Sequence, residues 1–124
     1  MLDHLGLEVS DLDASREFFT QALEPLGVSA ILDVQGVACG FGDRQKPWFW
    51  IAKRGRAVST DVHVAFEAPD RAIVDRFHEA ALAAGGRDNG EPGKREIYHP
   101  EYYGAFVLDL DGNNIEAVCH RREE

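Results

Sequence analysis

The opening stretch of the chain occurs twice. Asp3-His4-Leu5-Gly6-Leu7-Glu8-Val9-Ser10-Asp11 returns as Val62-His63-Val64-Ala65-Phe66-Glu67-Ala68-Pro69-Asp70. At the same ungapped offset Phe18 meets Phe77, Ala22-Leu23 meets Ala81-Leu82, and Gly27 meets Gly86. A long internal period of this kind marks one supersecondary unit used twice, each copy too small to bury its apolar face alone. The fold therefore has to bring two similar halves together, and 124 residues suffice for one shared core rather than two separate ones.

Within the first copy, Leu5, Leu7 and Val9 alternate with His4, Gly6 and Glu8, the period of a strand with one apolar face. Ser10 or Asp11 is placed to cap a following helix, in which Leu12, Phe19, Ala22, Leu23 and Leu26 recur near helical spacing until Gly27 stops it. Three short strands are predicted over residues 28–33, 37–41 and 48–52, separated by Gln35-Gly36 and a polar turn at 42–46. Residues 54–59 form the seam between the halves. The second copy repeats the order with a strand over 61–68 and a helix opened by Pro69-Asp70. Ile73, Val74, Phe77, Ala81 and Ala84 line one side of that helix, and Gly85-Gly86 ends it. Residues 90–93, with a glycine at each end, are expected to break the next segment, and 98–103 to form a loop around Pro100. Strands over 104–110 and 114–120 then flank an Asp111-Gly112 turn. The sequence reads as an α+β fold of two tandem βαβββ modules, about 1–56 and 57–124, in a single domain.

A net charge of −9 argues against a nucleic-acid or anionic-membrane partner, whose phosphates a basic patch would have to neutralise. No apolar run approaches the roughly 20 residues a bilayer-spanning helix needs. No charged and apolar leader precedes the structured pattern at His4. The two cysteines, Cys39 and Cys119, are too few for a disulfide framework. The expectation is a cytoplasmic, reduced protein.

If the helices cover the apolar side of each sheet, His4 and His63 point to the other side, at matching places on the first strand of each half. On the last strand Ile115, Ala117 and Cys119 share the apolar parity, and Asn114, Glu116 and Val118 share the opposite one. Two imidazoles and one carboxylate are thus expected to converge from three strands, a facial set that leaves positions on a divalent metal open. Singly, each is an ordinary strand residue; repetition at one offset is what singles them out. Glu8 and Glu67 share the histidines' faces but lie four residues along, roughly 13 Å away, too far to ligate the same ion. The same spacing separates His120 from Glu116 and leaves it a terminal surface residue, and His78 on the second helix is expected to be solvated.

His99 stands with Tyr98, Tyr102 and Tyr103 in one predicted loop. Loops held by a rigid sheet often carry substrate contacts, and a proton donor or acceptor there suits general acid–base work. His99 and Tyr103 are the candidate catalytic residues; the competing reading is an aromatic loop packed on the barrel rim or on a partner chain. Trp48, Trp50 and Tyr98 are candidates for substrate contact, the tryptophans as an apolar wall if they face the cleft and as core if they do not.

The two βαβββ halves, the His4 and His63 strand starts and the run Asp109-Leu110-Asp111-Gly112-Asn113-Asn114-Ile115-Glu116 resemble the vicinal oxygen chelate superfamily. That superfamily includes glyoxalase I, extradiol dioxygenases, fosfomycin-modifying enzymes and bleomycin-resistance proteins. The resemblance covers nearly the whole chain and implies modules curved into partial barrels around a cleft, often assembled as homodimers. It also implies metal ligands at His4, His63 and Glu116. The remaining ligand position, usually glutamate in glyoxalase I, would fall at Trp50, and no residue from 47 to 53 is Asp, Glu or His. A three-ligand set is closer to the dioxygenase and fosfomycin-type patterns. The implied activity is that of a glyoxalase-like enzyme using zinc, iron, manganese, nickel or cobalt on a small substrate that chelates the ion through neighbouring oxygens. Lyase or isomerase, dioxygenase and transferase chemistry all stay open. The alternative is a metal-free binding module like the bleomycin-resistance proteins, for which the acidic balance suits a cationic ligand.

Overall fold

The structure is a computed structural model describing residues 1–122. Its elements run β1 (Leu5–Glu8), α1 (Leu12–Leu23), β2 (Ser29–Val34), β3 (Ala38–Asp43), β4 (Lys46–Ala52), β5 (His63–Glu67), α2 (Arg71–Ala83), β6 (Arg87–Lys94), β7 (Tyr103–Leu108) and β8 (Asn114–Cys119). They form two open four-stranded sheets, ordered β1-β4-β3-β2 and β5-β8-β7-β6. In each, the first strand runs parallel to the last, and the other neighbours are antiparallel. The architecture is α+β, a pair of βαβββ units of the kind the repeat requires. Neither helix is long and apolar enough to cross a membrane.

The equivalent residues of the two copies do equivalent work at the helix starts and diverge at the ends. Asp11 caps α1 by accepting from the Ala14 amide at 3.0 Å, and Asp70 caps α2 by accepting from the Ile73 amide at 2.9 Å. Ser10, the other capping candidate, donates its hydroxyl to Asp111 instead, at 2.5 Å. Ala22, Phe77 and Ala81 are buried as their spacing predicts, and so is Phe18, the counterpart of Phe77 in the repeat. After α1, one 3₁₀ turn (Glu24–Leu26) leads to Gly27 in the left-handed region at φ 75°. After α2 it is Gly85 that takes positive φ, at 108°. Gly86 serves a close approach: a Cβ there would stand 2.5 Å from Val107 Cγ1.

A chain of aromatic contacts fuses the halves into one core. Phe19 meets Phe18 at 4.9 Å and Phe49 at 5.1 Å between centroids, and Phe49 of β4 meets Phe66 of β5 edge-on at 5.3 Å. Such edge-to-face pairs add about 0.5–1.5 kcal/mol each beyond the area they bury. Helices α1 and α2 also pack on one another.

Two expectations are corrected. Residues 90–93 do not break the chain out of the sheet: β6 continues to Lys94, and its register against β7 shifts between Asp88 and Gly90 and again between Gly90 and Gly93. An edge strand tolerates such bulges because its outer side has no ladder to lose. His78 is not solvated: it is buried, and its Nε2 lies 2.9 Å from Asp88 Oδ1, tying α2 to β6. That hydrogen bond, with the Gly90 amide, holds the Asp88 carboxyl below the usual range.

The seam is built from side chains rather than sheet. Asn113, fully buried, donates its amide to both oxygens of Asp109 and to the Ser59 carbonyl, and accepts from the Val62 amide. The Asp109 carboxylate also takes the Asp111 and Asn113 amides. The Asp-x-Asp-Gly-Asn run is thus a self-bonded turn that also fixes the connector. Glu8 works from the other side: buried on β1, it receives the Arg54 and Arg56 amides at 2.5 and 3.2 Å and Arg54 Nε at 3.2 Å.

Asn113→Ala would leave the buried Asp109 carboxylate short of donors, and a loss of about 2–3 kcal/mol is expected in urea unfolding. The Arg54 amide, above the other donors, holds the Glu8 carboxyl below its ordinary value. Its contribution to stability is therefore complete above the unfolded glutamate pKa of about 4.3 and is lost as pH falls through the lower folded value. Glu8→Gln should destabilise the protein near neutrality, and the gap between variant and wild-type urea midpoints should narrow at about pH 3.

Candidate functional site

Helices on one face of each sheet leave the other face to β1 and β5 residues of even and odd number respectively. Across the second sheet one row runs Ala65, Glu116, Phe106, Gly90, each paired with the next. His63 lies two residues before Ala65 on the same face. In the first sheet the matching row runs Gly6, Trp50, Gly40. Trp50 is therefore the structural counterpart of Glu116, the position the family resemblance implied, and His4 is that of His63.

In the second half the expected pair forms. His63 Nε2 lies 2.8 Å from Glu116 Oε1, the imidazole 53% exposed and the carboxylate 1%. The Tyr102 hydroxyl donates to Glu116 Oε2. Burial and then the Glu116 carboxylate push the Tyr102 phenol far above its usual value, so it stays a donor at neutral pH. A buried carboxylate with both oxygens engaged is stable where an unpaired one would cost several kcal/mol.

His4 does not join them within the chain. Its Nδ1 is 2.7 Å from Asp3 Oδ1, and Asp3 is 2.7 Å from Lys46 Nζ. Lys46 first, then His4, brings the Asp3 carboxyl down to about 2. His4 lines two clefts, one of about 410 Å³ with Lys46, Trp48 and Phe66, the other of about 360 Å³ with Gly6, Trp50 and Arg54. Among the described residues no three His, Cys, Asp or Glu side chains gather as a metal-holding group. The donors that do meet are one imidazole and one carboxylate, types that ligate divalent ions, held 2.8 Å apart at hydrogen-bond distance.

The aromatic loop is divided between two faces. Tyr103 points to the helix side, its hydroxyl donating to Asp75 of α2 at 2.6 Å. Tyr102, which the site prediction passed over, takes the place beside Glu116. The parity of Ala105 and Val107, both core residues, carries back to Tyr103 and sends Tyr102 to the other face. His99 accepts from the Glu101 amide on Nδ1, so its neutral form carries the proton on Nε2, 2.7 Å from His120 Nδ1. Its ring meets the edge of Tyr102 at 5.4 Å rather than reaching Glu116, and exposed Tyr98 lies 4.8 Å from Tyr102. His120 is at the surface, but partnered.

Trp48 is half-buried against Phe66 at 5.8 Å, with its indole N–H donated to Asp43 at 3.1 Å. Trp50 lies across Gly40, where a Cβ would meet its Cζ2 at 2.8 Å. Both tryptophans line clefts that also contain His4. The cysteines are buried; burial, with Asp33 next, pushes the Cys39 thiol up to about 11 and leaves it unreactive.

Paired βαβββ sheets, each with its first strand parallel to its last, define a class of folds, and sequence places the chain within one superfamily of it. The profile of the Glyoxalase/Bleomycin resistance protein/Dioxygenase superfamily matches residues 1–117, and the chain belongs to that superfamily. A glyoxalase/bleomycin resistance protein from Albidiferax ferrireducens T118 is similar at 26% identity and TM-score 0.83, over 98% of this chain and 99% of that one. A lactoylglutathione lyase from Agrobacterium tumefaciens shares the fold at 20% identity and TM-score 0.68, over 96% of this chain and 92% of that one. Glyoxalase I from Zea mays shares it at 21% identity and TM-score 0.72, over 98% of this chain but 45% of that one. No curated protein matches the sequence.

Tyr102→Phe removes the hydroxyl that Glu116 Oε2 accepts. A loss of about 1.5–3 kcal/mol is expected in chemical denaturation, with the fold retained by circular dichroism.

Proposed function

We propose that the protein is a divalent-metal-dependent, glyoxalase-like enzyme acting on a small substrate that presents neighbouring oxygens, with His63 and Glu116 as ligands and His4 supplied by a second copy of the chain. The observation that carries this reading is the contact of His63 with Glu116 while His4, its counterpart in the repeat, stays with Asp3 and Lys46. Both histidines are exposed on open sheet faces, so each half offers donors that a second copy can complete. The superfamily assignment supports the metal chemistry, and imidazole with carboxylate suits zinc, iron, manganese, nickel or cobalt.

A bound ion would act as a Lewis acid on the substrate oxygens. The chain's own residues set the stage for it. Tyr102 holds Glu116 by its second oxygen, fixing the carboxylate's orientation; such outer contacts typically matter 10- to 100-fold for metal affinity. Trp50 presents an apolar plate on the cleft that His4 shares. His99 and His120, joined through one proton position, stand behind Tyr102 as acid–base groups at the rim.

Metal content of untagged protein and of His63→Ala, both checked for folding, tests the site. Near-stoichiometric ion in wild type and loss in the variant are expected. Co-purified mixtures of His4→Ala and His63→Ala chains test its sharing: a mixed dimer should recover one intact site per pair, and therefore metal, where each variant alone has none. Equal, negligible metal in wild type and His63→Ala after reconstitution with each ion would overturn the metalloenzyme reading in favour of a binding module.

A further inference from the structure

Two residues of the second half remain without a role in this scheme, and they lie on the same face as Glu116. Phe106 is paired with Glu116 across β7 and β8, and its ring centroid is 6.1 Å from that of His63. Over the same ring lies Arg95, its Cζ 5.3 Å from the centroid. The Phe106 ring thus neighbours both a guanidinium and the imidazole of the His63–Glu116 pair.

Arg95 is placed there by backbone. Its amide donates to the Tyr102 carbonyl at 2.7 Å, closing the base of the aromatic loop, and Nη2 donates to the Glu91 carbonyl at 2.7 Å. The sheet beneath it is stripped of side chains: a Cβ at Gly90 or Gly93 would stand 3.2 Å from its guanidinium nitrogens. These are the glycines that bulge β6, so the irregular edge strand makes room for the cation.

Among the described residues no carboxylate takes its charge. Arg16, Arg54 and Arg71 sit on Asp33, Glu8 and Glu101. Arg95, half-buried, has carbonyl oxygens as its only polar partners among the described residues. Carbonyls orient a guanidinium without neutralising it, and the planar fork keeps donors for a carboxylate or phosphonate. In a chain of net charge −9, such a group is where an anion can be held against the general field.

We propose that Arg95, on its Phe106 platform, is an anion subsite, and that the substrate is a small oxyacid whose carboxylate or phosphonate end rests on Arg95 while its other oxygens reach His63 and Glu116. The second clause rests on the metalloenzyme reading; the first does not. The charged end fixes which oxygens are presented, and Phe106 meets the carbon skeleton between them.

The test is calorimetric titration of the whole protein, metal-free and zinc-supplemented, with pyruvate, methylphosphonate and the uncharged ester methyl pyruvate. Arg95→Met keeps an apolar cover on Phe106 without the charge, and Arg95→Lys keeps the charge without the fork; thermal melts confirm that both fold. Saturable millimolar binding of at least one anion is expected, about 10- to 100-fold weaker in Arg95→Met and intermediate in Arg95→Lys, with ester binding weak throughout and zinc content of Arg95→Met equal to wild type. Which anion saturates tells a carboxylate site from a phosphonate one. The proposal is overturned by an ester that binds as well as the acid, by Arg95→Met that binds the anions like wild type, or by failure of both anions to saturate. Arg95-dependent anion binding in a protein whose zinc content does not depend on His63 would support the subsite and sink the metalloenzyme reading alone.

Discussion

Parallel pairing of the first and last strand in each half is the constraint on which the site depends. Parallel neighbours cannot be joined by a tight turn, and here a helix and two further strands make the crossover. That detour covers one sheet face with apolar side chains and leaves the other bare. It also sets the start of β5 beside β8, which is how His63 and Glu116, 53 residues apart in sequence, come to lie 2.8 Å from each other. Only a central strand, walled on both sides, could bury Glu116 so completely while a neighbour and a loop supply donors to its two oxygens.

The tightness of this arrangement has a second source in the seam. The sheets do not exchange ladder bonds; they meet through Phe49 and Phe66 and through helix packing, neither of which is directional enough to fix the connector. Glu8, Ser59, Asp109 and Asn113 add that direction. Burial raises the Asp109 carboxyl above its usual value, against the opposing pull of the Asn113 side chain and backbone. The turn is therefore a polar knot inside an apolar joint, worth having because every member finds a partner.

Much of this was legible because two periods were superimposed. Alternation alone would not have separated His63 from any other strand histidine; the repeat did so by showing it twice, while the cap of α1 stayed open between Ser10 and Asp11 until the structure gave it to Asp11. What was missed lies where a period was stopped too soon. The predicted strand began at Gly104, and extending its parity by two residues would have exchanged Tyr103 for Tyr102. His78 lies four residues beyond Val74 and three before Ala81, both buried, so its place at the core edge was written in the helix. The continuation of β6 through its glycines was not readable in this way, since a bulge and a break share the same residues until the partner strand is known. The distance of His4 from the pair was equally invisible, because parity gives the face of a strand and says nothing of how two sheets are set.

The exchange of Glu116 for Trp50 between equivalent positions separates two demands that conflict in a single sheet. One half carries the Glu116 carboxylate at the centre of its sheet and the cation lying on bare backbone, each a local departure from good packing. The other carries an indole on glycine, with Phe18, Phe19, Phe41 and Phe49 beneath it. In the proposed scheme duplication leaves the second half to supply the buried carboxylate and the first to supply His4 and an apolar plate. Drift in the first half is then limited by packing except at His4, drift in the second by the contacts of Glu116, and the two can be altered independently wherever they share no contact such as Phe49–Phe66 or Ser10–Asp111.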